Sequence, residues 1–446
     1  MADFGGASAG RDFRRKRTLL IGAMLIDSEG SVSGPSAIVV EDGLIREVDN
    51  TGNRKGMPTD EVIDCRGRFI SPGLVNLHTH SPMNIFKGIA EDVTPEDWFN
   101  REIWPYESRM EPADVEAGAS LAIAEMLDCG VTAFADHYFE AGRICDAVID
   151  TGIRADIAPT LFGMAGDFEE QLAASEELIR RRNGEEGRLS LRLGPHSPYT
   201  CSPDQLAMCA ESAVSLGVGA HLHVEDDSSQ IEDSRKLYGL SPMEVVSRAG
   251  LTDVPLIIGH AYWILPEERK LLKKNNWIVV CMKTYMKLGT PPGPILDNPG
   301  RLPLCIGTDG AASSNTLNPL EQARLFALAG KSRQGNAEAF PLKEVWRMLM
   351  RGHEALPFGG GSLKPGSPAD LVVWNLDKPN TAPAYDPLAA LIYSADAGNA
   401  EEVMIAGTFV KKDGKLSLDT PGIVREARDR ARAILKRGKG STKLIF

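Results

Sequence analysis

Gly73-Leu74-Val75-Asn76-Leu77-His78-Thr79-His80 decides the reading of this chain. A short apolar run opens after Pro72-Gly73 and ends in His-x-His. On an extended segment, residues two apart point to the same side, so His78 and His80 face one space. Two imidazoles on one side can grip one cation and leave positions open for water and substrate.

The same arrangement recurs downstream. Seven further short apolar runs read as strands: Gly130–Asp136, Ile153–Leu161, Leu189–Pro195, Val218–His223, Leu256–His260, Trp277–Cys281 and Leu304–Gly307. Amphipathic segments such as Pro112–Leu127 and Glu169–Arg182 lie between them. Strands alternating with helices predict a parallel sheet. Eight such units over about 290 residues predict a (β/α)₈ TIM-type barrel of residues 71–365. The rival, an open doubly wound sheet, lacks the G-x-G-x-x-G of its usual dinucleotide use.

A barrel carries its functional groups at the C-terminal ends of its strands. The chain has eight histidines, and all but His353 fall at such ends: His78, His80, His137, His196, His221, His223 and His260. Asp309 follows strand eight. These residues predict a metal held by His78, His80, a histidine of a middle strand and Asp309. Histidine nitrogens with one carboxylate suit Zn²⁺ best, with Fe²⁺, Mn²⁺ or Ni²⁺ as alternatives. Bimetallic barrel hydrolases bridge their metals through a carbamylated lysine on strand four. No lysine occurs between Lys87 and Lys236, so one metal is expected. The cation would make hydroxide available at neutral pH for attack on an electrophilic carbon. Asp309 would hold or deprotonate that water, and His260 would polarise the attacked group or steady the resulting oxygen.

Both termini differ from the middle. Thr18–Ile26, Ser36–Glu41 and Leu44–Val48 are β-rich, with Asp42-Gly43 as a hairpin turn. Asp370–Trp374, Glu402–Ile405 and Val410–Leu416 read alike, before a helix over Val424–Arg437. Residues 1–70 and 366–446 together predict one small β-sandwich domain.

The formal charge of −12 argues against nucleic acid as a partner. The basic clusters Arg11–Arg17 and Lys436–Lys443 read as solvated ends. Seven scattered cysteines without a C-x-x-C pair point to a reducing, cytoplasmic setting. No apolar run reaches 18 residues, and no cleavage site follows Leu19–Leu25, so neither a membrane span nor a signal peptide is expected.

At Ser71–His80, Lys87-Gly88-Ile89-Ala90-Glu91-Asp92 with Trp98, Ile103-Trp104-Pro105, Gly194-Pro195-His196-Ser197-Pro198-Tyr199, Gly307–Ser313 and Leu363–Leu371, the chain resembles the amidohydrolase superfamily. Within it, the likeness is to cytosine/adenosine-type deaminases and triazine chlorohydrolases. The resemblance implies a mononuclear centre with His78, His80, His223 and Asp309 as ligands, His260 beside the bound water, and a homodimer. It implies deamination or dechlorination of a small nitrogen heterocycle such as a purine, pterin or triazine.

The family's strand-five motif is H-x-x-E, whose Glu shuttles a proton. Here Asp226 stands at that position and Glu225 one residue before it; either can serve. After strand seven, Cys281-Met282-Lys283-Thr284-Tyr285 replaces a histidine-cysteine-proline start, bringing Lys283 or Tyr285 toward the substrate. His137 stands where a hydrophobic residue is common. Together with His196, Arg154, Trp98 and the neighbouring Phe86 and Trp104, these are the candidate substrate contacts. The altered acid and strand-seven loop keep a second reaction open: hydrolysis of an amide, urea or carbamate C–N bond.

Overall fold

A computed structural model describes residues 17–51, 61–297, 300 and 302–441. Residues 11–16 and Lys443, which belong to the terminal basic clusters, lie outside them. The eight barrel strands are Leu74–Thr79, Val131–Tyr138, Arg154–Leu161, Leu189–Leu191 with Gly194–Pro195, Ala220–Val224, Leu256–His260, Asn276–Val280 and Leu304–Ile306. Neighbours are parallel throughout. A parallel bridge between Leu193 and Ala220 joins the two half-barrels. The ring closes where the Thr308 and Asp309 amides donate to the His78 carbonyl, at 3.1 and 3.0 Å. Asn76 reinforces this seam: it accepts from Thr308 N–H at 3.0 Å and donates to Thr308 Oγ1 at 2.7 Å.

Strands covered on both faces read as continuous apolar runs. Leu74–Thr79 and Val131–Tyr138 are buried at every position. Val75, Leu77, Ala133, Ala135, Ile257, Val279 and Cys305 form one packed cluster within the ring. Its small alanines leave room for the bulkier chains facing them. Helices begin where the sequence supplies capping groups. Pro112–Asp128 opens with a Glu111/Asp114 box, and Pro203–Leu216 with Ser202/Gln205.

Strands from both termini share one nine-stranded sheet. It bends back on itself: the Asp42-Gly43 turn meets the Ala406-Gly407 turn, and Ala369 N–H donates to the Gly43 carbonyl at 2.9 Å. Leu20, Ile38, Ile45, Ile70, Leu371 and Met404 are enclosed by that bend. No helix among the described residues is long and apolar enough to cross a membrane.

Candidate metal centre

Barrel strands one, five, six and eight bring His78, His80, His223, His260 and Asp309 to one rim. Ligand atoms of His78, His80 and His223 lie within 4.8 Å of one another, as do those of His78, His260 and Asp309. Three nitrogens are oriented by bonds behind them. His80 Nδ1–H donates to the His137 carbonyl at 2.6 Å, and His223 Nδ1–H to the His196 carbonyl at 2.9 Å. His78 Nδ1 meets His221 Nε2 at 2.8 Å. A carbonyl can only accept, so Nδ1 carries the proton in His80 and His223, and each Nε2 lone pair faces the shared space.

The donor set fits a divalent cation. His80 Nε2 and His223 Nε2 are 3.1 Å apart, close to the ~3.3 Å between ligands of a tetrahedral zinc with bonds of about 2.0 Å. Two lone pairs at that distance repel unless a proton or a metal lies between them. His78 Nε2 is buried without a hydrogen-bond partner. Asp309 Oδ1 lies 3.3 Å from His80 Nε2 and 3.9 Å from His78 Nε2. The His78 ring sits in a cradle that side chains would fill. A Cβ on Gly259 would come within 2.8 Å of the ring, and one on Gly307 within 2.9 Å of His78 Cβ.

The electrostatics divide the site into two neutral rings and a charged His80–Asp309 pair, whose shared proton a cation would displace. Burial, then the neighbouring imidazoles, push His78 and His223 well below 6.5, leaving them neutral as ligands must be. Burial also opposes a charged His80, but Asp309 outweighs it and raises His80 to about 9. Burial likewise opposes the Asp309 carboxylate, yet His80 holds it well below the usual range. Asp309 adopts φ +61 and is fixed by Gly310 N–H at 2.8 Å and Ser313 Oγ–H at 2.9 Å.

The two acids after strand five part company. Glu225 is fully buried at φ +55, and its Oε1 accepts Met243 N–H at 3.1 Å, away from the histidines. Asp226 is gripped by Gln230 through its amide and its Oδ2, both at 3.1 Å. Its Oδ1 has no partner, and it feels the charges of His260 and Asp309. Tyr285 OH accepts Cys281 N–H at 3.2 Å and lies 3.1 Å from His260 Nδ1. Its own proton can go to Nδ1, leaving His260 Nε2 the protonated nitrogen.

Of the expected substrate contacts, some stand near the histidines and some do not. The His196 ring is 4.7 Å from those of both His223 and Phe162, and 5.6 Å from Tyr199. Trp98 Nε1–H reaches the Ala312 carbonyl at 3.4 Å, over the loop after strand eight. Phe86 is core, and Trp104 stacks on Phe99 at the surface. His137 spends both ring nitrogens internally, donating to the Gly194 carbonyl at 3.1 Å and accepting from Thr160 Oγ1 at 3.0 Å. Lys283 commits its ammonium to Glu321 at 2.9 Å and Thr316 at 3.1 Å. Arg154 is a correction. It opens strand three at the far end of the barrel, where it pairs with Asp370 at 2.7 Å and donates to the Gly187 carbonyl at 2.6 Å.

Three supporting residues were given no individual role from the sequence. His221 backs His78. Asp136 accepts Thr79 Oγ1–H at 2.7 Å, Ser81 N–H at 2.7 Å and Ser81 Oγ–H at 2.5 Å, gripping both neighbours of His80. Ser313 holds Asp309. The His221-x-His223 spacing, which repeats His78-x-His80, was the readable signal for the first. Nothing local signalled the other two.

The amidohydrolase family model matches residues 69–410. A 5-methylthioadenosine/S-adenosylhomocysteine deaminase of Desulforudis audaxviator is 35% identical over 94% of this chain and 99% of its own. That of Pyrococcus horikoshii is 33% identical over 91% and 97%. An adenosine deaminase from Xanthomonas campestris, solved with bound zinc, superposes with a TM-score of 0.89 at 29% identity, covering 94% of this chain and 98% of its own. The atrazine chlorohydrolase of Arthrobacter aurescens shares the fold, with a TM-score of 0.84 at 23% identity over 93% and 100%. With a matched span covering the whole barrel, and relatives aligned nearly end to end, the chain belongs to the amidohydrolase family.

Proposed function

We propose that this protein is a zinc-dependent aminohydrolase that replaces the exocyclic amine of an aminopurine nucleoside by oxygen and releases ammonia. The observation that carries the reading is the convergence of three imidazole Nε2 atoms and Asp309 Oδ1, with the unpartnered oxygen of Asp226 alongside. The names of the relatives at 33–35% identity support the substrate class.

His78, His80, His223 and Asp309 would hold the ion, which supplies Lewis acidity and lets water ionise near neutral pH. Asp309 takes a proton from the attacking water. His260, steered by Tyr285, donates Nε2–H to the incoming oxygen. Asp226 gives its proton to the ring nitrogen and regains one from the added hydroxyl, while the proton taken up by Asp309 passes to the departing amine. Burial raises the Asp226 carboxyl above the ordinary range, which favours the protonated form it needs. His196, Phe162 and Tyr199 supply flat surfaces against which a ring can lie.

The reading includes a barrel of residues 71–365, an appendage of residues 1–70 with 366–446, a homodimeric assembly and a cytoplasmic setting. Its test is elemental analysis of the purified protein together with ammonia release from adenosine, 5′-thio-substituted adenosines, aminopterins and aminotriazines. One zinc per chain with ammonia from an aminopurine nucleoside is the expected result. One zinc with no ring deamination, but cleavage of an aryl urea or amide, would replace it by the second reading. The observation favouring that alternative is the pairing of the shorter Asp226 with the Cys281–Tyr285 loop.

A further inference from the structure

Glu225 and Asp226 are adjacent acids with unlike surroundings. Barrel strand five ends at Val224, and the left-handed conformation of Glu225 turns the chain there. The Glu225 side chain runs back beneath the loop. Its Oε1 takes Met243 N–H, one of the free amides opening the helix Pro242–Arg248. Its Oε2 is buried without a donor and faces the neighbouring Glu268 carboxyl, whose Oε1 is likewise unpartnered, with the Ser241 side chain beside the pair. The other Glu268 oxygen accepts Leu265 N–H at 2.6 Å, which anchors it in the loop after strand six. Backbone bonds cross the same seam: Ala261 N–H donates to the Val224 carbonyl at 2.7 Å, and Trp263 N–H to the Glu225 carbonyl at 3.1 Å. One of these two loops carries Asp226, and the other begins at His260.

We propose that Glu225 is a positioning residue and not the proton carrier: its buried carboxyl, wedged between the Met243 amide and the Glu268 carboxyl, locks the strand-five loop to the strand-six loop and so aims Asp226 at His260 and Asp309. The catalytic meaning of that aim rests on the aminohydrolase reading. The latch itself is a statement about two loops and can be tested separately. An amide can take the place of the Glu225 carboxyl between these two partners. In Glu225→Gln, Oε1 still accepts Met243 N–H and Nε2 donates to Glu268.

The test compares Glu225→Gln, Glu225→Ala, Glu268→Ala and Asp226→Asn in the full-length metal-loaded protein. Readouts are turnover, zinc content and hydrogen exchange over residues 225–230 and 261–268. The expected result is that Glu225→Gln keeps turnover within roughly threefold, whereas Asp226→Asn loses about 10²-fold or more, the usual effect of removing a general acid. Glu225→Ala and Glu268→Ala should each raise exchange in both loops and lower kcat with zinc content unchanged. Glu268→Ala stands in if Glu225→Ala does not fold. If Glu225→Gln falls as far as Asp226→Asn with zinc and exchange unchanged, the assignment is overturned and Glu225 is the proton carrier. If Glu268→Ala leaves the strand-five loop untouched, there is no latch. The exchange readouts need no turnover, so failure of the aminohydrolase reading is distinguishable from failure of the latch.

Discussion

Asp136→Asn isolates what the strand-two carboxylate does for the centre. Its three hydrogen bonds reach Thr79 and Ser81, the residues on either side of His80. In the asparagine variant, Oδ1 can keep two of these bonds as neutral contacts. Nδ2 then faces Ser81 Oγ, which must turn from donor to acceptor. A hydrogen bond to a charged group contributes about 1.5–3 kcal/mol and a neutral one about 0.5–1.5, so each retained bond loses roughly 1 kcal/mol. With the turned hydroxyl, the site loses about 2–4 kcal/mol of restraint. Part of this should appear as His80 wandering from its partners, which predicts zinc affinity lower by about 10- to 100-fold, as for other groups that orient ligands. The measurement is zinc titration of the chelator-stripped protein against a competing fluorescent chelator, with thermal unfolding of the metal-free form alongside. Zinc binding equal to wild type in a variant whose metal-free form has lost stability would refute the argument. Asp136 would then support the fold and not the ligand.

Arg154→Met leaves Asp370 buried without its cation, and breaking such a pair costs about 3–5 kcal/mol. Unfolding temperature should fall while zinc content and turnover per folded molecule stay at wild-type values; lost turnover in the folded fraction would restore Arg154 to the site. Tyr285→Phe removes the partner of His260 Nδ1 and should lower kcat by about tenfold or more with zinc retained, as expected for weakening one hydrogen-bonded catalytic group; unchanged kinetics would separate His260 from the chemistry. His353 lies far from the centre on the helix Leu342–Ala355 and donates to the Gly73 carbonyl at 2.8 Å. Burial lowers its pKa below 6.5, so the unfolded chain binds a proton that the fold does not. That contribution to stability is complete above pH 6.5. It is lost as pH falls below 6.5, by about 1.4 kcal/mol per unit until the folded pKa is reached. His353→Asn should therefore show a denaturation free energy between pH 5 and 7 with a slope smaller by up to one proton; equal slopes would contradict it.

The barrel was legible because parallel strands put their C-terminal ends on one rim. A chain that places seven histidines at such ends has few other ways to use them. The same rule exposes the Arg154 error. That residue opens its strand, so it belongs on the opposite rim, where it binds Asp370. His137 was misread for a different reason. Its side chain is spent on Thr160 and Gly194, and what it gives the centre is a carbonyl for His80, a group every residue has and no sequence pattern displays. Lys283 looked available because Glu321, its partner, lies 38 residues away on another helix. The unlike surroundings of Glu225 and Asp226 follow from a left-handed φ at Glu225, which a non-glycine residue reveals only in the folded backbone.

These placements say where the centre is vulnerable to substitution. His80 and His223 are oriented by backbone carbonyls, which persist whatever side chains stand at 137 and 196. His78 is oriented by the ring of His221, a side chain, and is hemmed in by two glycines with no room for a Cβ. Its orientation therefore depends on three residue identities; that of His223 depends on the path of the chain, and that of His80 on that path together with the Asp136 carboxylate that grips Thr79 and Ser81. Asp309 is intermediate, with one oxygen held by a backbone amide and the other by Ser313. In this barrel, His78 is the candidate ligand held by a neighbouring ring and by two glycines. A single change at 221, 259 or 307 can disturb it without touching a ligand.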